Sequence, residues 1–271
     1  MAKIITKKGV SFLTFSIFEN ENVTVAVSTR QGGVSTGNFA SLNMGFPTGD
    51  DGDNVRENRR RFFDALGSDY LKSVNGKQVH GIRMARASRL DCGRGALSFD
   101  TAIDDCDGLY TDEPDVPLAM SFADCTPLLF YDPVTHSIAA AHGGWRGSAG
   151  NIVSVAIGHL KDSFGSKPEN IKAAIGPAIG FCHFEVGTEV IEAFQSLFTK
   201  EEMEALSKSR GNGKYLFDLP EANRLLMIRE GILPQHIEDC RICTCDRDDL
   251  FYSYRKAGGV TGRHMAVMIL R

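Results

Sequence analysis

The sequence predicts an α/β fold of the α+β type: one layered domain over residues 1–271, with mixed β-sheets flanked by helices. Three observations predict it. Short apolar runs rich in β-branched residues are interspersed with stretches of helical spacing, without the strict strand–helix–strand rhythm of a parallel sheet. Glycine, proline and aspartate mark the junctions between them. No repeat, low-complexity tract or linker composition divides the chain, and 271 residues suffice for one large core.

Residues 23–29, Val-Thr-Val-Ala-Val-Ser-Thr, read as a strand because β-branched side chains suit a pleated surface. A glycine-rich loop follows at Arg30-Gln31-Gly32-Gly33-Val34-Ser35-Thr36-Gly37. Asp53 is the expected cap of a helix that runs to Leu66 and stops at Gly67. Residues 73–86 read as strand material around His80, and 87–108 as an irregular surface excursion. Residues 116–122, 128–131 and 137–142 are apolar runs separated by the turn signals Asp124-Cys125-Thr126-Pro127 and Asp132-Pro133. A helix is expected from 148 to 164, where Ile152, Val155, Ala156, His159 and Leu160 recur at helical spacing before Gly165. Residues 171–175 read as a strand closed by Gly176-Pro177, and 186–207 as helix. Asp218-Leu219-Pro220-Glu221 starts a helix that ends near Gly231, with Asp218 as cap and proline in the first turn, where its missing N–H costs little. Residues 237–243 and 265–270 are the closing strands.

Hydrophobic residues make up 42% and charged residues 24%, the balance of an ordinary globular protein. A net charge of −4 gives no basic footprint for nucleic acid. The one basic cluster, Arg56-Glu57-Asn58-Arg59-Arg60-Arg61, reads as the solvated face of a helix. No apolar stretch approaches the roughly 18 residues needed to span a bilayer. The segment Met1-Ala2-Lys3-Ile4-Ile5-Thr6-Lys7-Lys8 lacks the apolar core of a secretion signal, so the expected compartment is the cytoplasm. The cysteines are then expected to stay largely reduced, and their odd number, seven, excludes a full disulfide framework.

The chemistry concentrates at Cys125 and His142. Each follows an apolar run and precedes residues that break regular structure, and His80 in Gly76-Lys77-Gln78-Val79-His80-Gly81 is placed in the same way. Two imidazoles and a thiolate can hold zinc with one coordination position open. The same residue types can also build a cysteine nucleophile with a histidine base, and the sequence leaves both constellations open. Asp124 is the nearest carboxylate to orient an imidazole or move a proton. Arg146, in Gly143-Gly144-Trp145-Arg146-Gly147-Ser148, and Arg30 stand beside flexible backbone and could clamp an anion, as could Arg255. Cys240-x-x-Cys243-x-Cys245 has the look of a metal knuckle but no second Cys/His pair nearby in sequence. Cys182 and His183, adjacent on an extended stretch, are expected to diverge.

Several stretches together resemble the YfiH-like family, also described as the multicopper polyphenol oxidase laccase-domain family. They are Ser28-Thr29-Arg30-Gln31-Gly32-Gly33-Val34-Ser35, Ser41-Leu42-Asn43-Met44-Gly45, Val55-Arg56-Glu57-Asn58-Arg59, Lys77-Gln78-Val79-His80, Asp107-Gly108-Leu109, Ala123-Asp124-Cys125-Thr126-Pro127, Ala141-His142-Gly143-Gly144-Trp145-Arg146-Gly147, Ala174-Ile175-Gly176-Pro177-Ala178-Ile179-Gly180 and Thr261-Gly262-Arg263. The sequence departs from the family's pattern at Phe46-Pro47.

The resemblance implies a YfiH-like layered fold, a zinc site of His80, Cys125 and His142, and an active-site arginine at Arg30. It implies phosphorolysis of purine nucleosides (adenosine, inosine, guanosine, methylthioadenosine) with adenosine deamination alongside. The implied partners are purine nucleosides and phosphate, with no nucleic acid and no membrane. Cys125, His80, Arg30 and Asp124 are then the expected catalytic residues. Arg30, Asn43, Arg146 and Arg255 are those expected to hold phosphate or nucleoside. Two other readings stand beside it: a cysteine-dependent amide hydrolase editing peptidoglycan precursors, and a non-catalytic metal-binding protein. The seven histidines include no His-x-His pair, so a three-copper oxidase is not expected.

Overall fold

The computed structural model describes residues 2–271; Met1, the first residue of the N-terminal segment, lies outside them. In chain order the elements are β1 (Lys3–Lys7), β2 (Val10–Thr14), β3 (Val23–Ser28), α1 (Gly52–Leu66), β4 (Val74–Asn75), β5 (Met84–Arg86), β6 (Gly108–Thr111), β7 (Leu118–Phe122), β8 (Thr126–Asp132), β9 (Ser137–Gly143), α2 (Trp145–Ala149), α3 (Ile152–Phe164), β10 (Lys172–Ile175), β11 (Glu185–Gly187), α4 (Thr188–Phe194), α5 (Lys200–Leu206), β12 (Ser207–Gly211), β13 (Lys214–Phe217), α6 (Leu219–Arg229), β14 (Ile237–Asp239) and β15 (His264–Leu270). One large sheet has the order β1-β2-β3-β15-β7-β4 and the other β14-β10-β8-β9-β6-β5; a small sheet is ordered β11-β13-β12. The large sheets are mixed, with parallel pairs β4–β7, β5–β6 and β10–β14 among antiparallel ones.

The two large sheets stack face to face, and a helical layer covers each outer face. Alternation along the central strands assigns the faces. Met120, Phe122, Ala266 and Met268 of the first sheet meet Leu129, Tyr131 and Ala140 of the second in the inter-sheet core. Leu128, Phe130, Ala139 and Ala141 point the other way, under α3 and α6. Met265, Val267 and Ile269 lie under Phe62 and Phe63 of α1. Strands buried on both faces have no polar side to show, which is why β8, β9 and β15 read as continuous apolar runs.

Several boundaries differ from the sequence expectations. The carboxylate of Asp51, rather than Asp53, caps α1 by accepting the Asp53 N–H at 2.8 Å. Asp53 instead pairs with Arg56 on the surface. Gly67, with φ +69°, ends the helix as expected. The basic cluster on α1 is not uniformly solvated. Arg60 and Arg61 pair with Glu57, but Arg59 is buried and donates to the Met44 and Gly95 carbonyls. Burial pulls its guanidinium down to about 9.

The helix expected at 186–207 is a strand, two short helices and the start of another strand. A capping box at Thr199 and Glu202 restarts the chain as α5. The helix expected from 148 divides into α2 and α3, with Asn151 in the left-handed region capping the second. The closing strand expected at 237–243 ends at Asp239. His80 does not end a strand but lies in the loop between β4 and β5, at φ +64°.

Candidate metal centre

Cys125 sits where the chain leaves one large sheet and enters the other. β7 belongs to the first sheet and β8 to the second. The bend between them passes through Asp124 at φ +85°, a conformation that aspartate tolerates better than most side chains. Three contacts hold the bend. The Asp124 carboxylate accepts from Thr244 Oγ1 at 2.6 Å and from the Arg255 N–H at 2.7 Å, and its carbonyl accepts from the Ile179 N–H at 2.8 Å. Asp124 is thus committed to fixing the bend. It orients neither imidazole, contrary to its expected role.

His142 lies on β9, whose register places it opposite Pro127, two positions beyond Cys125. His80 arrives from the 76–81 loop. That loop is fastened to the first sheet by Gln78, whose Nε2 donates to the Ser121 carbonyl at 2.8 Å while its Oε1 accepts the Ser121 N–H at 2.9 Å. The donor atoms of His80, Cys125 and His142 all lie within 4.8 Å of one another, with the two imidazole centroids 4.9 Å apart. Gly144 borders the trio: a Cβ there would stand 3.1 Å from His80, 3.3 Å from Cys125 Sγ and 3.6 Å from His142.

Asp107 organises both histidines. Its buried carboxylate accepts from His142 Nδ1 at 2.9 Å and from the N–H groups of Val79, His80 and Gly81 at 3.1, 2.9 and 2.8 Å. Its carbonyl accepts the His142 N–H at 2.8 Å. With Nδ1 donating to the carboxylate, the other ring nitrogen of His142 is free to act as a ligand. Sequence reading gave Asp107 no role. Its signal was a carboxylate at the head of the apolar run that becomes β6.

Electrostatics bind the trio together. Burial alone would raise the Cys125 thiol, but the charge and hydrogen bond of His142, with His80, outweigh it and bring it down to about 6. Burial alone would lower His142, and Cys125 and Asp107 instead lift it to about 9. Desolvation likewise opposes ionisation of Asp107, yet His142 and the Gly81 and Val79 amides hold its carboxyl below the usual range. A thiolate and two nitrogen donors in one cradle, backed by a carboxylate on one imidazole, are a donor set that suits zinc.

None of the expected anion-binding residues Arg30, Asn43, Arg146 and Arg255 lines the cleft beside His80 and His142. Arg30 donates to the Ala40 and Asp248 carbonyls at 2.9 and 2.8 Å and lies over the Tyr252 ring. Arg255 Nη1 donates to the Glu185 carbonyl at 2.9 Å. Arg146 is exposed and lies over Trp145, on a helix of five residues. Asn43 is fully buried, its amide bonded to Asp50 and its oxygen accepting the Gly45 and Arg263 N–H groups, which leaves no free edge for a ribose or base. The cleft beside His80 and His142 is lined instead by Phe46, Phe99, Arg59 and Arg263. Arg263 is the cation there that sequence reading left without a role. Its Nη1 donates to the Thr261 and Gly262 carbonyls, and its burial lowers the guanidinium despite nearby Cys125.

Two stacked mixed sheets with a His/Cys trio at their crossover define a class, and the whole sequence agrees with it. Residues 24–271 match the family model described as Multi-copper polyphenol oxidoreductase laccase. The chain belongs to this family, the YfiH-like proteins. It is 40% identical over 240 residues to a Geobacillus stearothermophilus protein named Purine nucleoside phosphorylase YlmD, covering 89% of this chain and 87% of that one. It is 35% identical over 243 residues to Purine nucleoside phosphorylase YfiH of Escherichia coli, covering 90% and 92%. The crystal structure of YlmD from Geobacillus stearothermophilus superimposes with a TM-score of 0.94 at 36% identity, over 100% of both chains. No described helix is long and apolar enough to cross a membrane.

Proposed function

We propose that the chain is a purine nucleoside phosphorylase with zinc held by His80, Cys125 and His142, and that the same centre deaminates adenosine. The observation that carries this reading is the series of relatives named purine nucleoside phosphorylase that match nearly the whole chain at 34–40% identity. Bound zinc supplies positive charge where negative charge develops and polarises a donor atom beside it.

The chain's own groups do the rest. Asp107 holds the His142 Nδ1 proton and the 79–81 amides, so the His142 imidazole and the backbone that carries His80 are fixed before a metal binds. Asp124 positions the Cys125 bend, a supporting task in place of proton transfer. Arg263, beside His80 and His142, is the cation we assign to phosphate, since a guanidinium meets phosphate through paired N–H groups. Phe46 and Phe99 offer ring faces to a purine in the same cleft.

Purified protein is assayed for purine release from adenosine, inosine, guanosine and methylthioadenosine, with and without phosphate, and for inosine formation from adenosine. Release that requires phosphate, together with about one zinc lost in Cys125→Ala, is the expected result. No phosphate-dependent release from any of the four nucleosides sinks the phosphorylase reading, and no inosine from adenosine sinks the deaminase.

A second reading is favoured by one observation: Cys125, His142 and Asp107 stand in the order nucleophile, base and orienting carboxylate. In that reading the chain is a cysteine-dependent amide hydrolase acting on peptidoglycan precursors. Amide cleavage that survives chelation but is abolished by thiol alkylation selects it. Zinc without turnover in any assay selects a non-catalytic metal-binding protein.

A further inference from the structure

A second group of metal donors lies outside the trio. The donor atoms of Cys182, His183, Cys243 and Asp246 all fall within 4.8 Å of one another. Sequence reading set Cys182 and His183 apart as neighbours on an extended stretch. In the structure the Gly180 carbonyl accepts the N–H groups of both His183 and Phe184 at 3.0 Å, and this tight turn brings the two side chains together. Of the Cys240, Cys243 and Cys245 run, only Cys243 joins them. Cys240 packs against the inter-sheet core, and Cys245 Sγ lies 3.1 Å from Ser253 Oγ.

The geometry points to a second, structural zinc site built from Cys182, His183, Cys243 and Asp246. Zinc bonds of about 2.0–2.3 Å at tetrahedral angles place neighbouring donors about 3.3–3.8 Å apart. Here His183 Nδ1 is 3.6 Å from Cys243 Sγ and 3.5 Å from Asp246 Oδ1, within that spacing, and at 3.1 Å it is slightly closer to Cys182 Sγ; Cys182 Sγ is 3.4 Å from the other carboxylate oxygen, Asp246 Oδ2, so a small rotation of the carboxylate lets one oxygen serve. Two sulfurs, one imidazole nitrogen and one carboxylate oxygen are a zinc donor set, and four protein ligands leave no position open for chemistry. The backbone makes room for it. A Cβ on Gly180 would stand 3.3 Å from Cys243 Sγ and 3.4 Å from Cys182 Sγ, and the Gly180 N–H points at the Cys243 sulfur at 3.3 Å. Cys182, Cys243 and Asp246 line a cleft of about 930 Å³, so an ion reaches them from solvent.

The site joins two segments that each hold the Cys125 bend. Residues 176–183 supply Ile179, whose N–H grips the Asp124 carbonyl, and residues 243–246 supply Thr244, whose hydroxyl grips the Asp124 carboxylate. The segments already touch through the Ala178–Cys243 bridge. A zinc ion between them clips the scaffold of the first centre without taking part in it.

Cobalt(II) is the probe, added to reduced, metal-free protein. In Cys125→Ala the trio has lost its thiolate, so sulfur-to-cobalt absorption can come only from another site. About one equivalent of cobalt with strong sulfur-to-cobalt bands is expected, and adding Cys182→Ser and Cys243→Ser should abolish the bands. Should Cys125→Ala fail to fold, the Cys182→Ser/Cys243→Ser protein with Cys125 intact serves. Zinc measured in it should be one equivalent lower than in the unaltered chain. The assignment is overturned if Cys125→Ala shows no sulfur-to-cobalt bands at saturating cobalt, if the bands persist without Cys182 and Cys243, if zinc content is the same with and without them, or if these cysteines form a disulfide in reductant. A chain whose trio holds no metal would still keep one equivalent in Cys125→Ala, so failure of the proposed enzyme and failure of this site are told apart.

Discussion

Asp107 connects more of the centre than any of the three donors does. It holds one imidazole directly and the backbone carrying the other. Asp107→Asn keeps the size and removes the charge that three amides and a ring N–H share. Zinc affinity is expected to fall about 10–100-fold, the usual effect of losing a ligand's supporting carboxylate. Competition with a chromophoric chelator measures it, and unchanged affinity would remove Asp107 from the centre. A second residue acts on stability. His264 is fully buried between Phe122 and Phe251, and burial, with Arg263 beside it, pulls the imidazole down to about 3. Its folded value lies below the unfolded value near 6.5, so the unfolded chain takes up the proton first. Stability is then complete above pH 6.5 and declines as pH falls from 6.5 toward 3. Between pH 7 and pH 4 the unaltered chain should lose on the order of 3 kcal/mol more than His264→Phe in urea unfolding. Equal losses would show that His264 titrates freely.

The trio itself was legible residue by residue because reactive side chains at the ends of apolar runs stand out. Asp107, Gln78 and Arg263 were not. Their work depends on which backbone groups the fold brings to them, and spacing along the chain carries no trace of it.

At the scale of elements, capping residues separate the expected boundaries from the observed ones. Asp51 and Asp53 are both plausible starts for α1, and the structure gives the cap to Asp51. Asp51→Ala should cost about 1 kcal/mol, whereas Asp53→Ala, which breaks an exposed pair with Arg56, should cost a few tenths. Thermal melts of the two proteins decide the order, and an equal or reversed ranking would contradict the cap. Helix ends with glycine or aspartate signals, at Gly67, Gly165 and Asp218, were legible. The break inside 186–207 was missed although its signal is in the sequence: Thr199 and Glu202 form a capping box that restarts the helix, and Gly187 stands at its head. The stretch 73–86, expected as strand material, holds the short strands β4 and β5 at its two ends, and the loop carrying His80 between them was not legible. The two strands pair with β7 and β6 at sheet edges, and two or three residues are too few to show a period.

For the whole molecule, the layered α/β class was legible from the mixture of elements, but the stacking of two sheets was not. Runs such as Leu128-Leu129-Phe130-Tyr131 are apolar throughout, so nothing in them says that Leu128 and Phe130 face helices while Leu129 and Tyr131 face another sheet. The location of Cys125 at the crossover has a kinetic consequence. His80 is carried by a loop fastened to the first sheet, His142 by the second, and Cys125 by the bend that joins them. The three donors therefore converge only after the sheets have docked, late in folding. Zinc should leave the refolding rate unchanged and slow unfolding alone, by the full factor of its stabilisation. Stopped-flow refolding accelerated by zinc would place the trio in the folding nucleus instead. With that late assembly, a metal held by the trio would act as a latch on a finished structure, lengthening the life of the folded chain rather than hastening its formation.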